Sequence, residues 1–556
     1  MVLHPLLLHL RHSFPSLTLG AFLDDVTMAG TTQHVNDALL WLQHEGPKHG
    51  LHVSLSKTVV WSPFGIDRQG TEYFRGITHS LDDGVELLGG AVSKSHEFVS
   101  SVIEKRVDKC VDTLDRMMAL RDPQLCLMLL RACEGMPKLV YSWRTTPPEF
   151  LSDAAPRFDR VVLDALRWIV VGDGAHFNNF SKRLATLPVS LGGLGVLRPT
   201  DLRRFSYCAS ALSSFHAQQA ILGNALPPTR LDMPDSLNEY LSSAIQHISG
   251  ADPVALREEI LHRTFDSDVA VPPFNAQLFM ARAYFESKQA QLLNHHYISS
   301  KEINDQRRFR GIIKSNSHPG SSAWLFALPN YGLHQRMTPL EFQSAACLRL
   351  LIPQFARGSL CQQQPCTAEM DRYGYHALVC RGHWLPRHNT VRDALFNLML
   401  YGRFEPVKDA PVTCLGYRHD RPTALRPADI LMAGEDFDRD CVDVTVVSPL
   451  VSSRQPEIVV GDAAQKAEDR KIEKHAVACE DAGYGFRAFA VDIFGVIAKE
   501  STLLLKRVCE KMIRETCCAP YKAMSICQRR ISMAVQIGVA RQLLASREVI
   551  DSPAVS

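Results

Sequence analysis

The sequence carries almost no net charge, because 61 lysine and arginine residues are opposed by 59 aspartate and glutamate residues, which leaves +2. This balance excludes binding of nucleic acid through bulk charge alone, so any such contact must come from local basic patches. The sequence also lacks the roughly 18 to 20 consecutive apolar residues that a membrane span requires. We therefore expect no membrane partner.

The 15 cysteines are scattered through a large chain and do not form the dense pattern of a small secreted disulfide framework. An intracellular, reducing compartment, nuclear or cytoplasmic, is therefore expected. The apolar stretch 3–10 is interrupted by histidine and proline and has no lysine or arginine before it. We interpret it as the end of a buried helix rather than as a secretion signal.

With 556 residues and 46% hydrophobic side chains, the chain should divide into roughly three or four domains. It contains no internal repeat, so the divisions follow changes of pattern and turn residues. The predicted fold class is a helix-rich, multi-domain α/β protein. The predicted segments are an α/β piece at 1–95, a helical region at 96–214, a helical connector at 215–345, a Cys/His segment with a following helix at 346–404, a compact α/β domain at 405–500 and C-terminal helices at 501–556.

Hydrophobic periodicity predicts the main elements. Towards the start of the chain these are β-like runs at 17–23, 52–55 and 58–61 and helices at 32–46 and 158–170. In the last third they are a helix at 390–401, strands at 428–433 and 441–447, a polar helix at 463–482, a strand at 486–492 and two closing helices.

The first chemical motif is Phe22-Leu23-Asp24-Asp25, which lies between apolar runs. Two adjacent carboxylates on a hairpin turn can hold Mg²⁺ for phosphoryl transfer, although a solvated turn gives the same pattern. Residues 21–30 resemble the metal-binding motif of reverse transcriptases, and residues 50–57, which end at Lys57, resemble their next motif.

Further segments resemble the same family in the same order. Residues 87–91 look like its primer-grip turn, residues 131–148 look like its thumb, and 187–195 are typical of retroelements. The resemblance implies a partial reverse-transcriptase palm at 1–95 and a thumb-like region at 96–214. A working polymerase needs a third carboxylate on an earlier palm strand, and Phe22 lies close to the start of the sequence. The polymerase part is therefore expected to be truncated and inactive.

The second motif is Cys361-x4-Cys366-x9-His376-x3-Cys380. Four soft ligands in a short loop suit tetrahedral zinc, which would be structural because no coordination position stays open. Buried cysteines beside a surface histidine remain the alternative, and His376 and Cys380 leave other pairings open. Proteins of site-specific non-LTR retrotransposons carry a similar knuckle ahead of their nuclease, followed by a triplet like Arg387-His388-Asn389.

The third motif joins two predicted strands. Asp429 begins one and Asp443 lies in the next, and the acidic turn 435–440 between them would bring the two carboxylates side by side. Such a pair can coordinate a divalent cation that activates water for attack on a phosphodiester. Two aspartates at strand ends are also common without any function.

The helix that follows carries Lys471, Lys474 and His475 at spacings of three and four, on one predicted face. A lysine aimed at the carboxylates can orient water or stabilise charge on phosphate. The alternative is a solvated basic face interspersed with acidic side chains, namely Glu468, Asp469 and Glu473.

Together these residues resemble the PD-(D/E)xK pattern of restriction-like endonucleases in retrotransposons. In that variant the lysine has moved to the next helix, and here Thr445 occupies its usual position, two residues after Asp443. Ala428, inserted between Pro427 and Asp429, departs from the pattern. The resemblance implies Mg²⁺ on the two aspartates, water and transition-state positioning by Lys471, and support or phosphate contact by Lys474.

The sequence thus predicts a retroelement-derived protein with a truncated reverse transcriptase and a metal-dependent endonuclease that nicks target DNA. DNA and the element's RNA would be its partners, and its oligomeric state stays open. One alternative is an inactive remnant that only binds nucleic acid. Another is a cellular nuclease or junction resolvase, which the reverse-transcriptase-like segment argues against.

Overall fold

The computed structural model describes residues 3–65, 72–80, 83–174, 177–223, 229–266, 274–362, 366–380, 384–418, 421–434, 437–451 and 457–547. These residues form mainly helices together with several small sheets, which confirms the predicted helix-rich α/β class. The chain forms two compact units. The first comprises Met1–Asp112, Met136–Arg160 and Arg198–Ser287, and the second comprises Thr113–Gly135, Val161–Leu197 and Lys288–Ser556. The finer domain boundaries at 95, 214, 345, 404 and 500 stay predictions.

The α-helices are numbered here in chain order. They are α1 Leu3–Ser13, α2 Thr32–Glu45, α3 His96–Met118, α4 Pro123–Leu129, α5 Met136–Thr145, α6 Ala154–Val171, α7 Asn179–Ala185, α8 Pro199–Ile221, α9 Asp235–Gln246, α10 Pro253–Leu261, α11 Ala276–Leu293, α12 His296–Ser299, α13 Ile303–Asn316, α14 Pro339–Arg349, α15 Trp384–Tyr401, α16 Asp462–Asp481, α17 Lys499–Thr516 and α18 Pro520–Ala545. Among the described residues, none of these helices has both the length and the apolar character needed to cross a bilayer.

The strands form one four-stranded sheet and several two-stranded pairs. They are β1 Thr18–Phe22, β2 Asp25–Ala29, β3 Val59–Val60, β4 Thr78–His79, β5 Gly84–Leu87, β6 Gly90–Ser93, β7 Glu405–Lys408, β8 Cys414–Arg418, β9 Arg421–Leu425, β10 Ile430–Gly434, β11 Phe437–Val447 and β12 Gly485–Asp492. The larger sheet has the order β12-β11-β10-β7, with β11 and β12 parallel and the other pairs antiparallel.

The N-terminal predictions are confirmed in part. The run 17–23 forms β1 and the helix at 32–46 is α2, but the predicted strand at 52–55 is wrong. The backbone turns there, because the amide and the hydroxyl of Thr58 both donate to the carbonyl of Ser54. Local bonds of this kind compete with strand pairing in serine- and threonine-rich stretches. Of the predicted strand at 58–61 only β3 forms.

The helical predictions for the middle of the chain are confirmed. The helix predicted at 158–170 is α6, which ends at Gly172 in a left-handed conformation with φ of +58°. Only glycine adopts this conformation at little cost. The described parts of 215–345 are helical, as α9 to α13 show.

The compact α/β domain predicted at 405–500 contains the four-stranded sheet. Strand β11 lies at its centre, and both faces are covered because α16 contacts β11 and β12 while α15 contacts β11 and β7. The apolar residues of β11 are accordingly buried, as Cys441, Val442 and Val444 show. A strand buried on both faces has the nearly continuous apolar run from which it was predicted.

Strands β7, β8 and β9 were not predicted from the sequence. Each is short, and Pro406 lies in β7 while Pro422 lies in β9. Proline cannot donate to a ladder and occurs in strands mainly at sheet edges. The position of β7 at the edge of the sheet fits this rule.

The helix predicted at 390–401 begins six residues earlier, at Trp384. Pro386 lies in its first turn, where the missing N–H group costs nothing. This earlier start places Arg387 and His388 on a helix beside the sheet rather than in a loop.

Glu468 is buried, so its interpretation as part of a solvated face of α16 is wrong. Its carboxylate accepts bonds from the amide groups of Glu500 and Ser501, at 3.0 and 2.8 Å, and from the Ser501 hydroxyl at 2.6 Å. Helix α17 has no cap from its own Ala498, so Glu468 satisfies the free N–H groups that every helix start leaves.

We expect Glu468→Ala to lower the free energy of unfolding by about 3 kcal/mol, because buried donors at the start of α17 lose a charged acceptor. Glu473→Ala on the exposed side of the same helix should change it by less than about 0.5 kcal/mol. Urea unfolding of both variants and the parent measures the difference. Equal stability of the two variants would show that the Glu468 contacts contribute nothing.

Candidate functional site

Asp429 lies immediately before β10, and Asp443 lies in β11, the neighbouring strand. Strands β10 and β11 pair antiparallel with Ile430 across from Val442, and the same register continues to Asp429 and Asp443. The amide of Val444, the residue after Asp443, donates to the Asp429 carboxylate at 2.7 Å, and each of the two carboxyl groups influences the pKa of the other. The side-by-side placement expected from the sequence is therefore present, although residues 435–436 of the turn lie outside the described residues.

Lys471 on α16 contacts Asp443 of this pair. Its Nζ atom lies 2.9 Å from Oδ1 and 2.7 Å from Oδ2 of Asp443. His475, one turn later, places Nε2 at 3.4 Å from Oδ2 of Asp443. The spacing of four residues puts both side chains on the helix face that covers the sheet.

Asp429 is held by two other groups. The amide of Val444 donates to its Oδ2 atom at 2.7 Å, and Nε2 of His388 lies 3.5 Å from its Oδ1 atom. The sequence supplied the triplet that contains His388 but no role for it. His388 takes this position because of where α15 begins and how that helix packs on the sheet. Hydrophobic periodicity in the sequence predicted neither of these.

Burial raises the pKa of Asp443 to about 6, and nearby Asp429 adds to this effect while Lys471 opposes it. Burial also acts to raise the pKa of Asp429, but the contacts with His388 and with the Val444 amide outweigh it, so the net change is downward. Burial, with help from Lys474 and Lys471, lowers the pKa of His475 to about 4. At neutral pH Asp429 and Asp443 are thus carboxylates and His475 is a neutral imidazole.

Lys474 does not join this cluster, so the prediction of one face with three basic side chains is wrong in part. Its side chain is exposed, whereas Lys471 is half-buried and His475 is buried. With 3.6 residues per turn, position 474 is rotated by about 100° from position 475 and turns towards solvent. Lys474 is therefore available to a ligand that approaches from outside.

Arg387, beside His388 on α15, is buried and links three parts of the second unit. Its guanidinium donates to the carbonyls of Leu378 and Val446, each at 3.1 Å, and to the Gln542 side chain at 2.9 Å. Gln542 in turn donates to the carbonyl of Ala377 at 2.7 Å. Arg387 therefore joins the Cys/His segment, strand β11 and helix α18.

The Cys/His segment brings together all four predicted ligands. The ligand atoms of Cys361, Cys366, His376 and Cys380 lie within 4.8 Å of one another. Sγ of Cys361 is 3.9 Å from Sγ of Cys380, and Sγ of Cys366 is 3.3 Å from Nε2 of His376. The cluster could hold a metal ion such as zinc, whose preferred ligands these are.

Nearby hydrogen bonds hold the backbone of this cluster and favour the thiolate form of Cys366. Asp371 accepts from the amide of His376 at 2.6 Å and from the amide of Tyr373 at 3.0 Å, which fixes the turn before the histidine. A backbone bond from Ala368 lowers the pKa of the Cys366 thiol, and the Cys361 and Cys380 thiols act in the same direction. A lowered pKa favours the thiolate that metal binding requires.

The residues of the reverse-transcriptase-like motif lie on two exposed turns. Asp24 follows Leu23, whose φ is +57°, in the turn between β1 and β2, and Asp25 pairs with Phe22. Lys57 lies in the turn at 54–57. A hairpin with both aspartates at its turn agrees with the expectation, whereas their metal-binding role stays a prediction.

The chain matches no protein-family model and no curated protein. The retroelement resemblance therefore stays a prediction from motifs and their order. What supports a function is the geometry of the carboxylate–lysine site and of the Cys/His cluster.

We expect the purified protein to contain about one zinc ion per chain, and Cys366→Ser to lose most of it because one of four ligands is weakened. Cys133→Ser changes an exposed cysteine outside the cluster and should retain the metal. Elemental mass spectrometry measures zinc per chain in each protein. Unchanged zinc in Cys366→Ser would show that Cys366 is not a ligand.

Proposed function

We propose that this chain is a retroelement-derived protein whose α/β domain at 405–500 is a metal-dependent endonuclease that nicks DNA. The observation that carries the proposal is the convergence of Asp429, Asp443 and Lys471 on one end of the β10–β11 pair. These are the residue types that phosphodiester cleavage needs: carboxylates for a divalent cation and a fixed cation near the phosphate.

The donor set fits Mg²⁺. The ion prefers hard oxygen ligands and is commonly held by one or two carboxylates, with water and substrate phosphate completing its octahedron. Asp429 and Asp443 would hold it, and a divalent cation would oppose the effect of burial and of nearby Asp429, which raise the pKa of Asp443. When bound, Mg²⁺ supplies Lewis-acid polarisation of the phosphate and of water.

The other residues of the site have distinct tasks. Lys471 donates to the Asp443 carboxylate and lies where negative charge would build on phosphate. His475 packs near Asp443 and stays neutral at physiological pH, because its pKa is lowered to about 4. His388, 3.5 Å from Asp429, would help to orient that carboxylate, and exposed Lys474 would contact a neighbouring DNA phosphate.

The remaining segments support contact with nucleic acid rather than chemistry. The Cys/His cluster would be a structural zinc knuckle ahead of the nuclease. Residues 1–95 would be a partial reverse-transcriptase palm and residues 96–214 a thumb-like region. Target DNA and the element's RNA are the proposed partners, in the nucleus or cytoplasm.

We expect the protein to nick supercoiled plasmid in the presence of Mg²⁺, and Asp443→Asn to lower the rate by at least about 100-fold, because a buried ligand loses its charge. Asp481→Asn, at the exposed end of α16, should keep the parent rate. Gel separation of supercoiled, nicked and linear plasmid measures the rates. Equal nicking by parent and Asp443→Asn would refute the assignment.

Lys471→Ala should lower the nicking rate by about 100-fold, whereas Lys466→Ala, an exposed lysine of the same helix, should leave it unchanged.

Lys474→Ala should weaken DNA binding and reduce the salt slope of the affinity by about 1, because one phosphate contact is lost. Nicking assays and binding titrations at several salt concentrations separate these effects. Salt-sensitive binding without nicking by any form would instead support the inactive remnant.

A further inference from the structure

A surface of the second unit, outside the proposed cleavage site, carries two exposed aromatic rings with an arginine beside each. Phe326 and Tyr331 lie shortly before α14 and keep 45% and 76% of their surface exposed. The guanidinium carbon of Arg131 lies 4.3 Å from the centre of the Phe326 ring. That of Arg336 lies 4.7 Å from the centre of the Tyr331 ring. We call these four residues the arginine–aromatic surface.

Hydrogen bonds hold both ends of this surface against one segment of the chain. Arg131, just beyond α4, donates to the carbonyl of Leu325 at 3.1 Å. Gln124, within α4, donates to the carbonyl of Gln335 and accepts from the amide of Met337, each at 2.9 Å. The residues that carry the two rings are therefore fixed in place, although the rings themselves stay open to solvent.

The positive charge of this surface is only partly compensated. Arg336 lies 3.0 Å from the carboxylate of Asp122, whereas Arg131 forms no ion pair within the described part of the chain, and burial lowers its pKa. Burial, with help from nearby Arg131, also lowers the pKa of Arg349 to about 9.

Arg349 adds buried positive charge behind Arg131. Among the described residues, Arg349 donates only to neutral oxygen atoms, which belong to Val189, Gly193, Asn316 and Ser322. A buried charge without a counter-ion is costly. An anionic ligand that binds at Arg131 would offset the charge of both guanidinium groups.

The kind of ligand follows from the rings and the charge together. Exposed aromatic rings stack on nucleic-acid bases, and guanidinium groups bind the phosphates between those bases. A single strand offers both contacts, whereas a double helix keeps its bases stacked inside and presents none to a ring. A protein partner would also cover apolar rings, but the uncompensated arginines favour a polyanion.

We propose that the arginine–aromatic surface binds single-stranded RNA, with bases stacked on Phe326 and Tyr331 and phosphates at Arg131 and Arg336. Stacking accepts every base, so the surface binds without strong sequence preference. The choice of RNA over other single strands rests on the proposed function, which makes the element's RNA a partner. Binding itself requires no nuclease activity.

The test measures the fluorescence anisotropy of a labelled oligouridylate of about 15 nucleotides with the full chain. Tyr331→Ala should weaken binding about tenfold because one stacked base is lost, whereas Tyr331→Phe keeps the ring and should bind like the parent. Tyr521→Ala removes another exposed ring, beside Lys522 in α18, and should leave the affinity unchanged. A DNA duplex of the same length should bind parent and Tyr331→Ala equally.

The salt dependence of binding tests the phosphate contact. Arg336→Gln should reduce the slope of log affinity against log salt by about 0.7, the value for one phosphate of a single strand. Arg282→Gln should leave the slope unchanged, because Arg282 is an exposed arginine of the first unit that is likewise paired with a carboxylate.

Three results would overturn the proposal. The first is equal affinity of the parent and Tyr331→Ala for oligouridylate, with circular dichroism showing both folded. The second is an equal loss of affinity for the duplex in Tyr331→Ala. The third is tighter binding of oligodeoxythymidylate than of oligouridylate. Because Asp443→Asn should bind oligouridylate like the parent, a chain that binds RNA but never nicks DNA refutes the nuclease alone.

Discussion

The buried ion pair between Lys471 and Asp443 is the interaction on which the α/β domain and its site both depend. The Asp443 side chain is only 7% exposed and that of Lys471 is 31% exposed, so neither charge is fully hydrated. Removal of one partner from such a pair costs about 3–5 kcal/mol, because the other charge is left uncompensated. The same contact joins α16 to β11, and His475, one turn along the helix, lies 3.4 Å from the same carboxylate.

Much of this arrangement could be predicted from the sequence, because it rests on local periodicity. The apolar run at 441–447 gave β11, and the turn residues before it gave an antiparallel partner that places Asp429 beside Asp443. A spacing of four residues placed Lys471 and His475 on one helix face. Ligand spacing likewise gave the Cys/His cluster, since four ligands within a short loop have few ways to lie apart.

What the sequence could not give depends on contacts between distant segments. Glu468 looked like a surface residue because its partners, the amides at the start of α17, lie more than 30 residues away. His388 reaches Asp429 only because α15 starts early and packs on the sheet. Lys474 belongs to the same basic sequence pattern as Lys471. It precedes His475 on α16, and the rotation of about 100° between successive helix residues turns its side chain into solvent. Hydrophobic periodicity shows which face of a helix or strand is apolar, but it does not show which other element packs against that face.

The contacts of Arg387 link two sites that the sequence presents as separate modules. One guanidinium binds the backbone just before Cys380, at Leu378, and the backbone of β11 at Val446, three residues beyond Asp443. Any rearrangement of the cysteine loop must therefore either break these bonds or shift the strand. If a ligand at the loop shifted these bonds, its binding and the alignment of the carboxylates would be coupled through Arg387, by the same free energy in both directions.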